Sequence, residues 1–250
     1  MDKKYLIEVC CGSVDDAVIS EKAGADRVEL NSCIMYGGLT PSAGAILEVK
    51  RKLNIPVMVM IRPRAGGFNY TEEEMNAMEY DVIKAIELGA DGIVFGILKE
   101  DGTIDIERCK RIINLCQDKE IVFHRAFDVV PDPFEALDTL ISLGVNRILT
   151  KGQQNTLEEG AGLIKSLIDF AKGKIEILPG GVKTHNIEST LVNIPCDQVH
   201  IANFVTKNDT SVRHRPNVFF GSASRGCEDR YELINYDFIK EIRDKLDNLA

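Results

Sequence analysis

Gly89-Ala90-Asp91-Gly92-Ile93-Val94-Phe95 carries the pattern that repeats along the chain. A glycine ends a helix, where the left-handed conformation meets no Cβ clash. A strand then starts at once, as short helix-to-strand connections require. The same join recurs at Gly24-Ala25-Asp26 and Gly144-Val145-Asn146. On either side of these joins, short apolar runs alternate with stretches of helical period. Strands are predicted near 5–10, 26–30, 56–61, 91–96, 120–124, 146–150, 174–179 and 197–201. Helices are predicted near 14–23, 41–53, 71–88, 105–116, 133–143, 156–171, 185–192 and 236–248. Eight alternations predict an α/β chain folded as one (β/α)8 TIM-like barrel over residues 1–250. The alternative is a doubly wound open sheet, which differs by a reversal of strand order. The longest irregular stretch, about 203–235, contains Arg213-His214-Arg215-Pro216 and Gly221-Ser222-Ala223-Ser224-Arg225-Gly226. It reads as a long loop before the final helix, and barrel loops of that length are often functional.

Composition narrows the function classes. The 250 residues are 44% hydrophobic and 28% charged, an ordinary globular balance with ample material for a core. No apolar run approaches the roughly 20 residues needed to span a bilayer. Met1-Asp2-Lys3-Lys4-Tyr5 leads straight into a strand without the apolar segment of a secretory signal. A cytoplasmic protein with no membrane partner is therefore expected. The net charge of −9 argues against a nucleic-acid partner. It leaves room for a small anionic ligand, because a local cluster of cations can reverse the field inside a cleft. The seven cysteines are an odd count with no C-x-x-C spacing, so they read as reduced thiols.

Charged residues stand where the predicted strands end: Glu8, Glu29, Arg62, Arg64, His124 and Arg125. Barrels keep their sites at that end. Strand parity puts Glu8 with Cys10 and Glu29 with Asn31, facing inward, because a carboxylate facing the helix layer is costly. Glu8, Glu29 and His124 are the candidate catalytic acids and bases, with Asp128 as a partner that could orient His124. The other reading is structural, with Glu8 and Glu29 paired to Arg62 or Arg64 across the barrel. Arg62 and Arg64 flank a proline, and with Arg125 and Lys151 they are candidate anion-binding residues. Gly180 and Gly181, after strand seven, fit a backbone phosphate cradle, and His200 lines the same mouth or packs in the core. Among the thiols, Cys10 with Cys33 is the plausible pair for Cu(I), a soft ion of low coordination number. Buried cysteine also serves as a small hydrophobe. Cys109 and Cys116 read as packing residues on one helix.

Five segments carry a resemblance: Glu8-Val9-Cys10, Ala25-Asp26-Arg27-Val28-Glu29-Leu30, Gly37-Gly38-Leu39-Thr40-Pro41-Ser42, Ile61-Arg62-Pro63-Arg64 and Phe123-His124-Arg125-Ala126-Phe127-Asp128. Together they resemble the CutC family of copper homeostasis proteins, over roughly residues 4–220. The resemblance implies a cytoplasmic TIM-like barrel, a homo-oligomer, and Cu(I) binding or trafficking. The family's proposed copper ligands are a cysteine matching Cys10 and one directly after the Glu-Leu of strand two, where this chain has Asn31. The family commonly has serine where this chain has Lys151. A second reading stays open: a barrel enzyme of lyase, aldolase or isomerase type, acting on a small anionic or phosphorylated substrate.

Overall fold

The computed structural model describes residues 5–215, 217–220 and 228–249. Eight parallel strands run in sequence order: β1 (Leu6–Cys11), β2 (Arg27–Leu30), β3 (Val57–Met60), β4 (Gly92–Phe95), β5 (Glu120–Phe123), β6 (Arg147–Thr150), β7 (Glu176–Val182) and β8 (Gln198–Ile201). They close into a barrel, β8 pairing back onto β1 through Glu8 opposite His200. Closure in this order excludes the open doubly wound sheet. Helices α1 (Val14–Lys22), α2 (Ala43–Lys52), α3 (Glu72–Glu87), α4 (Ile106–Leu115), α5 (Pro133–Ser142), α6 (Leu157–Ala171) and α7 (Ile187–Asn193) follow the first seven strands, and α8 (Tyr236–Asp247) ends the chain.

Local chemistry sets the joins. Ser13, Ser42, Thr71, Asp105, Asp132 and Thr156 each accept a backbone N–H in the first turn of the helix they precede. The repeated Gly-x-Asp/Asn join does more than end a helix. The Asp26 carboxylate accepts from Ile7 N (2.9 Å), Asp91 from Val57 N (2.8 Å), and the Asn146 amide oxygen from Ile121 N (2.8 Å). The third residue of each join thus latches the start of the neighbouring strand, satisfying a donor that lies outside the ladder.

Alternation along the strands sorts the side chains. Ile7, Val9, Cys11, Val28, Leu30, Val57 and Val59 face the helices and belong to the main apolar core. The barrel interior is divided. One side holds the apolar cluster Met58, Met60, Val94 and Val122. The other side is ionic.

The stretch expected as one long loop contains a hairpin. β9 (Phe204–Asn208) pairs antiparallel with β10 (Arg230–Ile234). Ile234 N donates to the Asp16 carboxylate on α1 (2.7 Å), which anchors the pair beside the barrel. Period-two alternation in Phe204–Asn208 is masked by its exposed, polar outer half. Pro216, Gly221-Ser222-Ala223-Ser224-Arg225-Gly226 and Cys227 lie outside the described residues.

Candidate functional site

Parity brings the inward residues of three adjacent strands together. Cys10 lies opposite Glu29 in the β1–β2 register, and Glu8 lies opposite both Arg27 and His200. Glu8 is deeper than its sequence position suggested, since β1 continues past it to Cys11. Its carboxylate accepts from Arg27 Nε and from His200 Nδ1 (2.8 Å). Arg27 Nη2 reaches Gln198 Oε1 (2.9 Å), and Gln198 Nε2 reaches Glu176 (3.0 Å). Arg147 binds Glu176 (2.6 Å) and Glu120 (2.9 Å) at the opposite end. A continuous polar chain therefore runs the length of the barrel, from exposed carboxylates below to His200 at the mouth. Burial alone would raise the Glu8 carboxyl, but the Arg27 charge and the His200 bond hold it well below the usual carboxylate range. Burial opposes the charge on His200, yet the Glu8 bond and the nearby Glu29 and Glu8 charges raise it overall.

Above this chain lie three metal-ligating groups. Donor atoms of Cys10, Glu29 and His200 all lie within 4.8 Å of one another. Asn31 Nδ2 donates to Glu29 Oε1 (2.8 Å) and to Cys10 Sγ (3.5 Å), so the residue read as a lost ligand orients two others. Glu29 Oε2 is buried and has no hydrogen-bond partner among the described residues. Burial, reinforced by neighbouring Glu8, raises the Glu29 carboxyl; burial and the Glu29 charge raise the Cys10 thiol well above its ordinary range. A buried carboxylate oxygen left without a partner beside a thiol and an imidazole fits a site completed by a cation. Gly38 permits the arrangement: at φ +84 it would place a Cβ 2.3 Å from Asn31 Oδ1.

Cys33 does not join Cys10. It lies exposed in a left-handed turn (φ 49) beside the 3-10 turn Ile34–Tyr36, and lines a separate cavity with Gly12, Ser13 and Asp16. The turn at Cys33 takes its thiol away from Cys10, while Ile34 and Gly37 of the same loop line the mouth beside Cys10.

The arginines also differ from expectation. Neither pairs with Glu8 or Glu29. Arg62 lines the mouth, but its guanidinium clamps the carbonyls of Tyr36 (2.9 Å), Gly38 (3.0 Å) and Gly66 (2.8 Å). Arg64 turns away from the mouth and binds Glu74 at the start of α3 (2.5 Å). Proline between them separates their directions. Asp128 does not orient His124. It accepts from Thr150 Oγ1 (2.5 Å) and from the backbone N–H groups of Lys151 (3.1 Å) and Gln153 (3.1 Å), and pairs with Arg125 (2.7 Å). It is the organiser of the loop after β6.

His124 lines the mouth with its Nδ1 accepting from Ala126 N (3.1 Å) and its ring 5.0 Å from that of Phe68. Burial and the Arg62 charge push its pKa down to about 3. It is therefore neutral at physiological pH and is not a proton donor of the imidazolium kind. Its ring occupies the space beside Gly96, where a Cβ would lie 2.4 Å from His124 Cε1. Gly96→Ala is expected to displace the ring, with a destabilisation of about 1–3 kcal/mol. Thermal melts and the His124 ring resonances check this; an unmoved ring in a fully stable variant would refute it.

The mouth has two lobes that share Cys10, Arg125, Leu149 and His200. One, of about 370 Å³, reaches Glu29, Arg62, Phe68 and His124. The other, of about 550 Å³, lies over β6–β8 and is lined by Lys151, Gly180, Gly181 and Lys183. Gly180 and Gly181 are inside β7, where the register against β8 shifts between Gly180 and Val182. The following helix begins only at Ile187, and its N-cap residue Asn186, which lines the same lobe, donates from Nδ2 to the Gly181 carbonyl (3.4 Å). Lys183 was not singled out from sequence; it follows directly on β7.

The profile of the CutC family matches residues 5–205. A CutC family protein of Treponema denticola is 47% identical over 241 residues, covering 96% of this chain and 98% of its own. A human protein called a copper homeostasis protein cutC homolog is 43% identical over 237 residues, covering 94% of this chain and 86% of its own. The crystal structure of CutC from Streptococcus agalactiae superposes with a TM-score of 0.75 at 38% identity, covering 78% of this chain and 97% of that one. With the family profile matched over most of the chain, and with relatives and a solved fold this similar, the chain belongs to the CutC family.

Proposed function

We propose that the protein handles copper by holding one Cu(I) ion at the barrel mouth between Cys10, Glu29 and His200. The observation that carries this reading is the convergence of the three donors around a buried carboxylate oxygen that has no hydrogen-bond partner among the described residues. Thiolate and imidazole suit Cu(I), and the carboxylate supplies charge balance. Glu8 on His200 Nδ1 and Asn31 on Glu29 and Cys10 form the outer layer that fixes tautomer and direction. Copper as the ion rests on the names of the human and mouse relatives. A reducing, cytoplasmic setting fits the requirement that Cys10 stay a thiol. No described helix is long and apolar enough to cross a membrane.

The test is anaerobic Cu(I) titration of the reduced protein against a competing chelator. One equivalent is expected to bind, and Cys10→Ser and His200→Ala to lose at least about tenfold in affinity each, the lower end for altered metal environments. Cys33→Ser, off the mouth, should bind as wild type. The Cys10 thiol is raised, so the ion must displace its proton. Affinity should therefore rise as pH rises, by about tenfold per unit for each proton released. Equal competition by wild type and Cys10→Ser would reject the site, and preference for Zn(II) over Cu(I) would reject the ion.

A further inference from the structure

We infer that the lobe over β6–β8 is a subsite for the phosphate group of a small phosphorylated metabolite, held by Lys151, Lys183 and Arg125. The three cations come from different segments: the ends of β6 and β7, and the 3-10 turn after β5. They gather in a chain whose net charge is −9, which is local field inversion of the kind that attracts anions. Neither lysine forms an ion pair among the described residues. Lys183 Nζ donates to the Ala202 carbonyl (2.6 Å), and Lys151 Nζ makes one long bond to the Asn155 carbonyl (3.4 Å). Each ammonium thus has donors left for a ligand. Asp128, which pairs with Arg125, and Glu158 offset the cations' mutual repulsion only in part, and Lys183 Nζ also lies 5.5 Å from the centre of the Phe238 ring. Burial, followed by the Arg125 and Lys183 charges, lowers the Lys151 ammonium, and burial lowers Lys183.

The backbone is shaped around this arrangement. Lys151 N is fixed by Asp128, whose other bonds hold Thr150, Gln153 and Arg125. One buried carboxylate therefore positions two of the three cations. Gly181, at φ +91, leaves room for the Lys151 stem, which a Cβ would meet at 3.0 Å. The lobe's volume, about 550 Å³, is that of a small-molecule site, which typically spans roughly 300–1,000 Å³. Cys10 and His200 form its inner wall, so the non-phosphate part of the ligand would lie against the donors of the proposed copper site. Glu158 at the rim is turned to Asn186 (2.8 Å) and His185 (3.6 Å). The subsite stands without the copper reading, because none of its three cations is among the ion's donors.

The experiment uses reduced, chelator-treated wild-type protein, so that its outcome is independent of copper. Inorganic phosphate and glycerol phosphate are titrated by calorimetry, in parallel with acetylation rates of individual lysines followed by mass spectrometry. Saturable binding is expected for both ligands, with Lys151 and Lys183 protected and Lys174, at the far end of β7, reacting as before. Lys151→Met and Lys183→Met should each weaken binding at least about tenfold, the equivalent of one charge-assisted contact, and Lys174→Met should not. A flat titration, unprotected lysines, or unchanged affinity in the Lys151→Met/Lys183→Met double variant would overturn the subsite. Rejection of glycerol phosphate with retention of inorganic phosphate would overturn the metabolite. The protection readout needs no variant and decides the matter even where a substitution unfolds the loop.

Discussion

Arg27→Met is expected to lower stability by about 3–5 kcal/mol, the usual effect of stranding one member of a buried ion pair. At about 2–4 °C per kcal/mol for a chain of this size, the melting temperature should fall by roughly 6–20 °C. The residue's volume is nearly kept, so the loss reflects charge. Glu8 is 1% exposed and would keep only His200 as a partner, and Gln198 would lose its donor. Arg27→Met/Glu8→Gln should recover a large part of the loss, because the second change removes the stranded charge. The effect has a pH signature. The Glu8 carboxyl is held below its ordinary value of 4.5 in the fold, so its stabilisation is complete above that value and is lost as pH falls through the lower folded value. The gap between wild type and Arg27→Met should therefore narrow in acid. A variant that melts within a degree or two of wild type at neutral pH would mean that Glu8 finds other partners.

Gly160→Ala is the second severe change. A Cβ there would lie 1.8 Å from the Lys151 carbonyl oxygen and 3.0 Å from Gly152 Cα. The obstacle is backbone, which cannot rotate aside. Gly152, at φ +67, meets the Gly160 carbonyl from the other side, its own Cβ position 2.3 Å from that oxygen. Helix α6 therefore packs main chain against main chain on the loop after β6. The cost should reach or exceed the upper end of the roughly 1–3 kcal/mol typical of overpacking, and phosphate binding should weaken as Lys151 moves. Gly162→Ala supplies the contrast within one helix. No atom lies within 4 Å of its Cβ position, so the change should stabilise by about 0.5–1 kcal/mol through helix propensity. Denaturant melts of both variants check the pair. Equal signs would show that α6 shifts freely.

The barrel was legible because its signals are local. Gly24, Gly89 and Gly144 each take positive φ at a helix end, and the strand bounds fall within a residue or two of the apolar runs, β7 excepted. The Asp and Asn that follow those glycines were visible as a repeat, but their latching role depends on a strand far back in sequence. The site was half legible. Parity alone placed Glu8 with Cys10 and Glu29 with Asn31, and the same rule carried one step further would have added Arg27 to Glu29 and Gln198 to His200. It could not tell that Arg64 turns outward while Arg62 lines the mouth, since both lie past the end of β3, where alternation no longer holds. Cys33 failed as a partner for the same reason: its turn geometry, not its distance in sequence, takes it away from Cys10. Lys183 carried no motif and becomes notable only when Lys151 and Arg125 are seen beside it.

The divided interior also bears on how the chain finds its register. Slipping β1 or β2 by one residue exchanges its two faces. Glu8, Arg27 and Glu29 would then point into the layer occupied by Ile7, Val9, Val28 and Leu30 against the helices, where the desolvation of unpaired charges is prohibitive. On the Met58, Met60, Val94 and Val122 side, the same slip would trade one apolar surface for another. The ionic half is thus the part of the barrel that tells correct strand alignment from incorrect, and the apolar half supplies cohesion without choosing. Barrels in which Glu8, Arg27 and Glu29 are all replaced by apolar residues of like volume should still collapse, but into a population of alignments, seen as doubled amide resonances from β1 and β2.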